Sequence, residues 1–428
     1  MPIHAVIGGQ RGDEGKGRFV DLIASNYSIV ARGNGGANAG HTIAPEGMDS
    51  IALHQIPAGI IYKNTLNIIG NGVFIDPVRL VQEIKTIEKS GLNVNTSNLK
   101  ISNIAHLVMP HHLLLDKIRE QSVNAQGSTK SGIAFVASDK YLRVGSRFED
   151  VYSIGSLKDR ALSSLISINE VNDEKQSLSN IKKEIDRWIE ALEYLRPFLD
   201  DTSKIMNDEL IKGKNVLAEG AQAFWLDINH GMYPFVTSSS TTVNGLLDGL
   251  GVSSKHLQKV SLVVKAIKSH VGNGPFVTEI TDVKLSQNIR GEIGLTDSEY
   301  GATTKRPRRI GYPDLVELRK AIEVTGADEI YLSKLDHLPR YGGTVKIAGN
   351  YKLDNKMLTH APSSAKDLEK CKPIYTELPV WQNDIGDIRE YSELPNEAKS
   401  FIEYFENKLS IPITKIGVGP LRNSVIYR

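Results

Sequence analysis

The sequence of 428 residues lacks several features that whole classes of protein require. Its single cysteine, Cys371, excludes an internal disulfide and a zinc site built from cysteine thiolates. The 51 lysines and arginines are balanced by 50 aspartates and glutamates, so the net charge of +1 gives no overall field to attract nucleic acid or anionic lipid. No apolar run approaches the roughly 20 residues of a membrane span, and no secretory signal is visible. We therefore expect a cytoplasmic protein without a nucleic-acid or membrane partner.

What the sequence does contain is an alternation of short apolar runs and longer amphipathic stretches. The runs predicted as buried strands are residues 5–7, 29–31, 216–218, 262–264, 330–332 and 345–347. Apolar residues recur every three or four positions over 181–199 and 398–409, which predicts two helices, the second with Pro395 in its first turn. This alternation indicates an α/β fold with a mostly parallel central sheet flanked by helices. No change of composition marks a linker, so we predict a single large domain over residues 1–428, with inserted subdomains.

The segment GGQRGDEGKG, residues 8–17, directly follows the first predicted strand. Glycines and a lysine, Lys16, at a strand-to-helix turn suit an anion, because free N–H groups and the helix N-terminus point at it. A standard P-loop would have glycine in place of Gln10 and a hydroxyl residue in place of Gly17, and this loop carries a carboxylate, Asp13, instead. The pattern predicts a P-loop-like phosphate loop, with a glycine-rich packing turn as the alternative.

A second glycine-rich loop, residues 32–42, follows the second predicted strand and contains His41. We expect this strand to neighbour the first, which would bring the two loops together at one edge of the sheet. Asp13 and His41 could then face a common ligand. A carboxylate and an imidazole that converge on a phosphate suit the roles of base and acid.

The sequence GDEGKG at 12–17, followed by GGANAGHT at 35–42, resembles the adenylosuccinate synthetase family of GTP-dependent ligases that join aspartate to IMP. Further blocks resemble the family in the same order along the chain: LAEGAQ at 217–222, DINHGMYPFVTSS at 227–239, VGNGPF at 271–276 and GATTKRPRR at 301–309. The resemblance runs from residue 5 to about residue 425. It implies one catalytic domain that acts on small-molecule substrates.

In the reaction that the resemblance implies, O6 of IMP attacks the γ-phosphate of GTP, and the amine of aspartate then displaces phosphate at C6. Asp13 would be the base at N1 and, with the carbonyl of Gly40, a ligand of Mg²⁺. His41 and Lys16 would hold the transferring phosphoryl group, and Gln222 would stabilise the charge on O6. Positioning and charge neutralisation dominate phosphoryl transfer, which fits these residue types.

The remaining contacts are also carried over from the resemblance. For the nucleotide they are Asn38, Thr129, Arg143, Gln222, Thr237 and Arg306, and for aspartate Thr303, Thr304, Arg306 and Arg308. For GTP they are Gly12, Glu14, Gly15, Lys16, Gly17, Gly40, His41, Thr42, Lys334, Asp336, Gly417, Gly419 and Pro420. Arg143 would reach the ligand of a neighbouring subunit, which implies a homodimer with composite sites.

Two of these assignments also have a chemical reason. The basic run at 305–309 could be read as a nucleic-acid patch, but arginine forks match the two carboxylates of a dicarboxylate such as aspartate. Asp336 stands in SKLD at 333–336, after a predicted strand. One carboxylate can accept both N1–H and N2–H of guanine, whereas adenine offers no such pair, so Asp336 indicates GTP as the donor.

Several positions depart from the family pattern. Residues 127–132 read GSTKSG where G-T-T-G-R-G is usual, which makes Ser128, Lys130 and Ser131 departures. Others are Arg11 for a bulky residue, Lys305 for a glycine, and Phe224 and Trp225 for smaller residues. We expect these last two rings to lie near the nucleotide, which leaves open a viral type of paralogue that ligates aspartate to dGMP. A non-catalytic nucleotide sensor is the other alternative. The presence of Asp13, Lys16 and His41 argues against it, because a site without activity usually loses such residues.

Overall fold

The computed structural model describes residues 3–43, 50–123, 125, 127–172, 175–295, 297–301 and 306–428. The strands of these residues are β1 (Ile3–Gly8), β2 (Ile29–Arg32), β3 (His41–Ile43), β4 (Ile51–Leu53), β5 (Leu66–Ile69), β6 (Leu99–Ser102), β7 (Leu199–Asp200), β8 (Val216–Glu219), β9 (Leu257–Lys265), β10 (Lys268–His270), β11 (Arg309–Gly311), β12 (Glu329–Ser333), β13 (Thr344–Leu353), β14 (Lys356–Leu358), β15 (Lys372–Pro379), β16 (Ile413–Gly417) and β17 (Val425–Tyr427). The helices are α1 (Lys16–Ala24), α2 (Pro77–Lys89), α3 (Pro110–Glu120), α4 (Ile133–Leu142), α5 (Ile154–Val171), α6 (Leu178–Leu195), α7 (Thr202–Ile211), α8 (Val243–Leu250), α9 (Val283–Arg290), α10 (Leu315–Thr325), α11 (Ala365–Lys370) and α12 (Asn396–Leu409).

A ten-stranded sheet lies at the centre, in the order β17-β16-β12-β9-β1-β8-β2-β5-β6-β7. Its pairs are parallel except that of β16 with β17 at one edge. Every residue of β1, β2, β8 and β12 is buried, as expected for parallel strands covered on both faces. Ile3, Ala5 and Ile7 pack into one apolar core and Val6 into another, because successive side chains point to opposite faces. The predicted fold class is confirmed.

The position of β2 differs from the prediction. β8 lies between β1 and β2, with Val216 paired to Ile3 on one side and to Ile29 on the other. β2 is therefore not the neighbour of β1. The reason is that β8 is inserted from far along the chain, and the local pattern of residues 1–42 carries no signal of that crossover.

Three smaller corrections concern the ends and partners of predicted elements. The run 345–347 lies in β13, which belongs to a separate antiparallel sheet, β14-β13-β15, outside the central one. Helix α6 ends at Leu195, before Pro197, so Leu199 is the start of β7 and not part of the helix face. Pro395 immediately precedes α12 as its N-cap instead of standing in the first turn.

The loops that follow β1, β2, β8, β12 and β16 leave the same, carboxyl edge of the sheet. Those of β1 and β12 run into α1 and into a 3₁₀ turn at Leu335–Tyr341. In such sheets ligands bind beyond the carboxyl ends of the strands. Among the helices of the described ranges, none is long and apolar enough to cross a membrane.

Candidate active site

A cavity of about 1130 Å³ opens at this edge of the sheet. Most of the residues that the sequence singled out line it: Gly12, Asp13, Glu14, Gly15, Lys16, Gly17, Asn38, Gly40, His41, Thr42, Thr129, Gln222, Thr237, Arg306, Arg308, Lys334, Asp336, Gly419 and Pro420. Thr303, Thr304 and Lys305 lie outside the described residues. Asp13 and His41 therefore face one cavity although a strand separates β1 from β2.

The phosphate loop is held in shape by Glu14. Its buried carboxylate accepts hydrogen bonds from the backbone N–H of Gly12 at 2.8 Å and of Gln10 at 3.3 Å, and from Lys16 Nζ at 2.7 Å. Gly15, in the left-handed conformation with φ of 84°, precedes the first residue of α1. The carboxylate of Glu14 is thus committed to the loop itself, whereas the backbone N–H groups around Gly15 lie at the helix N-terminus, where an anion is favoured.

Asp13 projects from this loop with φ of 60° and lies against Arg308, whose Nε is 3.1 Å from Asp13 Oδ2. Loss of solvent raises the pKa of Asp13, but the charges of Arg308, Lys265 and Lys16 outweigh that effect, so its pKa lies below the ordinary value. The carboxylate is therefore ionised at neutral pH. It could hold a metal ion or accept a proton once a ligand displaces Arg308.

His41 is oriented by Glu219, a residue that the sequence did not single out. Nδ1 of His41 contacts Oε1 of Glu219, which also accepts a hydrogen bond from Arg32 Nη2 at 2.9 Å. Burial and the charge of Arg32 lower the pKa of His41 to about 4. Although burial raises the pKa of Glu219, Arg32 and His41 lower it to about 2. The imidazole is therefore neutral, and Nε2 is the ring atom that can face a ligand. The signal for Glu219 was its position in the LAEGAQ block.

Three of the predicted nucleotide contacts form a chain of polar side chains that lines the cavity. Gln222 Nε2 donates to Asn38 Oδ1 at 3.2 Å, and Asn38 Nδ2 donates to Thr237 Oγ1 at 3.5 Å. Within the described part of the chain, the buried Oε1 of Gln222 has no hydrogen-bond partner. A buried acceptor without a partner is costly, so this oxygen is suited to a donor on a ligand.

The departures at 127–132 have different surroundings. Ser128 lines the cavity and donates to Asp116 Oδ2 at 2.9 Å, while Ser131 is buried and accepts a hydrogen bond from Arg79 Nη1 at 2.6 Å. Lys130 is exposed outside the cavity. Arg306 Nη2 donates to the Gly127 carbonyl at 3.0 Å, which connects this loop to the predicted aspartate site.

The expectation that Phe224 and Trp225 lie near the nucleotide is wrong. Both side chains are fully buried in the main core and line no part of the cavity. Trp225 Nε1 donates to the Glu317 carbonyl at 3.3 Å. The physical reason is the 3₁₀ turn Phe224–Leu226, which directs the two rings inward and leaves Leu226 at the cavity wall.

The site predicted for the guanine base of the phosphate donor, here called the donor-base site, lies after β12. Asp336 lies there with Lys334, and burial raises the pKa of Asp336. Ser333 Oγ donates to the Glu14 carbonyl at 2.7 Å, which connects the end of β12 to the phosphate loop. Arg18, which the sequence did not single out, donates to the Gly419 carbonyl at 2.6 Å and so ties the segment after β16 to α1.

Two predicted residues do not line this cavity. Gly417 is buried at the end of β16, where an added Cβ would come within 3.4 Å of Arg18 Nη1 and Ser333 Cα. Arg143 is exposed just after α4 and lines a second cavity of about 600 Å³ with His111, Asp139 and Arg147. Within one chain, Arg143 therefore does not reach the main cavity.

An anion-binding loop with an ionised carboxylate, an oriented imidazole and an arginine cluster defines an enzyme of nucleotide-dependent group transfer. The chain belongs to the adenylosuccinate synthetase family, whose model matches residues 5–426. It is an enzyme that forms C–N bonds. The family model and the arrangement of the cavity thus agree over essentially the whole chain.

Individual relatives support the same family. The adenylosuccinate synthetase of Caldicellulosiruptor bescii is 41% identical over 431 residues, covering 100% of this chain and 99% of that protein. The one from Listeria monocytogenes is 41% identical over 97% of this chain and 96% of that protein. The structure of fully ligated adenylosuccinate synthetase from Plasmodium falciparum matches with a TM-score of 0.90 and 35% identity, covering both chains completely. The cyanophage S-2L succinoaminodeoxyadenylate synthetase bound to dGMP and dATP matches at 19% identity with a TM-score of 0.59, covering 100% of this chain and 95% of that one, which shows a shared fold alone.

Proposed function

We propose that this chain ligates L-aspartate to IMP at the expense of GTP, through 6-phosphoryl-IMP, and releases adenylosuccinate, GDP and phosphate. The observation that carries the proposal is a single cavity lined by Asp13, Lys16, His41, Gln222 and Arg308. Asp13 provides the catalytic base, and Lys16 and His41 provide two groups that bind the phosphoryl group. Gln222 provides an amide for O6, and Arg308 provides a cation for the dicarboxylate. Family membership and full coverage of the related chains support the same reaction.

In the first step, the ionised carboxylate of Asp13 takes the proton from N1 so that O6 can attack the γ-phosphate. Lys16 neutralises charge on the phosphoryl group. His41 presents Nε2 to it, because Nδ1 is already committed to Glu219. An anion beside the ring favours its protonated form, which turns Nε2 into a hydrogen-bond donor. Gln222 is assigned to O6 of the purine through Nε2, the donor end of its amide, which donates to Asn38 in this structure.

A Mg²⁺ ion would be held by Asp13 Oδ and the carbonyl of Gly40. The donor set fits, because Mg²⁺ prefers carboxylate and carbonyl oxygens together with phosphates, and both residues line the cavity beside the phosphate loop. When bound, the ion neutralises charge on the phosphates. The family as a whole is GTP-dependent, and Asp336 supports GTP over ATP for this chain.

In the second step, aspartate would bind to Arg308 and Arg306, with Thr303 and Thr304 carried over from the resemblance. Both arginines line the cavity. Arg308 is already close to Asp13, so an incoming carboxylate can take over a guanidinium that is in place. The amine of aspartate then attacks C6 and phosphate leaves.

We also propose a homodimer in which Arg143 reaches the nucleotide of the neighbouring subunit. The arginine is exposed, and the adjacent Tyr141 and Leu142 are 79% and 65% exposed, as expected for residues that a second copy covers. The bacterial relatives are consistent with the predicted cytoplasmic location, which stays a prediction, as does the single catalytic domain over residues 1–428.

A phosphate-release assay tests the reaction directly. IMP, dIMP, GMP and dGMP are each offered with L-aspartate, with GTP or ATP as donor. We expect turnover with IMP and GTP, and little with dGMP. Phe224 and Trp225 are the departures that suggest dGMP as substrate, and neither of them lines the cavity. Turnover with dGMP but not IMP would overturn the assignment in favour of the viral type. Binding of nucleotides without any turnover would indicate a sensor.

A further inference from the structure

Glu299 was not predicted from the sequence, yet its carboxylate joins two parts of the site. The side chain is fully buried. Oε2 accepts a hydrogen bond from Arg308 Nη1 at 2.9 Å and another from Ser269 Oγ, and Oε1 contacts Lys334 Nζ. One carboxylate therefore holds both the arginine assigned to the dicarboxylate and the lysine assigned to the donor base.

The position of this carboxylate is fixed by its backbone as well. The N–H of Glu299 donates to the Arg290 carbonyl at 2.7 Å, and the N–H of Arg308 donates to the Glu299 carbonyl at 3.0 Å. The residue thus pairs with Arg308 through both main chain and side chain. Movement of Glu299 would displace the guanidinium directly.

The hydroxyl of Ser269 extends the connection to the phosphate loop. Its Oγ accepts a hydrogen bond from Lys265 Nζ at 2.6 Å, and the same ammonium donates to the Gly12 carbonyl at 3.1 Å. Ser269 does not itself line the cavity. Among the described residues, its side chain contacts the site through Glu299 and Lys265.

Charge makes the arrangement dependent on Glu299. Arg308 and Lys334 both contact this one buried carboxylate, and removal of one partner from a buried ion pair leaves an uncompensated charge. Arg308 has a second carboxylate partner in Asp13, which contacts its Nε, whereas Glu299 contacts its Nη1. When a ligand carboxylate replaces Asp13 as the partner of Arg308, the contact between Arg308 and Glu299 can persist.

We propose that Glu299 is a positioning residue shared by the dicarboxylate site and the donor-base site, a role that rests on the function proposed above. It fixes the position of the Arg308 guanidinium relative to the amine of Lys334, because its carboxylate contacts both. Loss of its charge weakens the binding of aspartate and of GTP together. Among the predicted contacts of the purine monophosphate, Asn38, Gln222 and Thr237 form hydrogen bonds with one another and are not joined to Glu299, so this ligand is bound as before.

The test compares Glu299→Gln with Ser269→Ala and with a matched control, Glu329→Gln. Glu329 is also a buried carboxylate that pairs with a lysine and accepts from hydroxyl groups: Lys259 Nζ is 2.9 Å away, Ser261 Oγ 2.5 Å and Thr414 Oγ1 2.7 Å. It stands at the opposite end of β12 from Lys334 and lines no part of the cavity. Phosphate release gives KM for L-aspartate, GTP and IMP, and thermal unfolding gives Tm.

For Glu299→Gln we expect KM for aspartate and KM for GTP each to rise about tenfold, the effect of losing one charged hydrogen bond at each site. KM for IMP should stay within about twofold, and Ser269→Ala should raise the same two constants by a smaller factor. Glu329→Gln should leave all three unchanged. If Glu299→Gln does not fold, Ser269→Ala decides the question.

A rise in only one of the two constants, an equal rise for IMP, or the same pattern in Glu329→Gln would overturn the proposal. Failure of the function itself is visible separately, as absence of turnover in the unmodified enzyme. In that case calorimetric binding of GTP and of L-aspartate to the unmodified enzyme and to Glu299→Gln replaces KM. Parallel weakening of both would support the shared role, and independent behaviour would refute it.

Discussion

Three side chains of the cavity stand on left-handed backbone. Asp13, Gln222 and Lys334 have φ of 60°, 56° and 59°. Such conformations cost non-glycine residues of order 1 kcal/mol each and persist where the surroundings impose them, often at functional sites. In each case the unusual turn directs a polar side chain into the cavity just beyond the carboxyl end of a strand. The strain is a local consequence of placing these groups.

Substitution of Asp13 by asparagine should abolish most of the turnover. The change keeps the shape and the tolerance for left-handed backbone but removes the base and the anionic ligand. We expect kcat to fall by a factor of about 10² to 10⁴, with GTP binding by calorimetry within about threefold because the loop N–H groups remain.

Asp354 offers the matched control for this substitution. It is an exposed aspartate in the turn between β13 and β14, also left-handed with φ of 51°. Asp354→Asn should leave kcat unchanged. If Asp13→Asn retained near-normal turnover, the assignment of the base would be wrong.

At the scale of elements, a buried group of charges connects the phosphate loop to its neighbours. Arg11, which departs from the family pattern, pairs with Glu317 in α10 and donates to the Pro275 carbonyl at 2.7 Å. Lys268 of β10 lies 2.9 Å from Glu317 and 2.7 Å from Asp314. Although burial raises the pKa of Glu317, Arg11 and Lys268 lower it to about 2. The cations Arg11 and Lys268 are thus paired with the carboxylates of Glu317 and Asp314 in the protein interior.

Removal of one member of this group should destabilise the protein more than removal of a pair. Arg11→Met leaves the carboxylate of Glu317 with one cation fewer, and we expect a loss of about 3 kcal/mol in the free energy of unfolding. In the double variant Arg11→Met/Glu317→Gln, part of that loss should be recovered. Urea unfolding of the single and double variants measures the difference. A double variant as unstable as the sum of the two singles would contradict coupling between the two residues.

The same elements show why the sequence led to a wrong position for Trp225 and gave no partner for Arg11. A periodic pattern reports which face of an element is apolar, but not which distant element covers it. Trp225 packs against α10, 92 residues further on, where its indole N–H meets the Glu317 carbonyl. The sequence around residue 225 contains no signal for that contact.

At the scale of the whole molecule, several histidines are buried in neutral form. Burial lowers the pKa of His4, His41 and His106 to about 4. In the unfolded chain these groups titrate near the ordinary value of about 6.5. Between these values the unfolded chain binds more protons than the folded one, so stability falls as pH falls.

We therefore expect the free energy of unfolding to decrease between pH 7 and pH 5 by about 2 kcal/mol for each such histidine. Urea unfolding at several pH values measures it. His4→Asn should reduce the slope, because it removes one of the buried imidazoles. A stability that stays flat from pH 7 to pH 5 would contradict this prediction.

The sequence by itself determined the apolar strands, the phosphate loop after β1 and a set of candidate site residues, most of which line the cavity. These depend on local patterns and on short motifs whose residue types follow from their chemistry. It also determined the family, through sequence blocks that occur in a fixed order.

Only the tertiary structure decided which loops meet. β8 enters between β1 and β2, and Asp13 still faces the cavity of His41 because all these strands are parallel and end at one edge. The partners that orient the site, Glu219 for His41 and Glu299 for Arg308, arise from pairs separated by 178 and 9 positions. Tertiary packing chooses such partners, and the pattern of residue types alone does not show which side chains will meet.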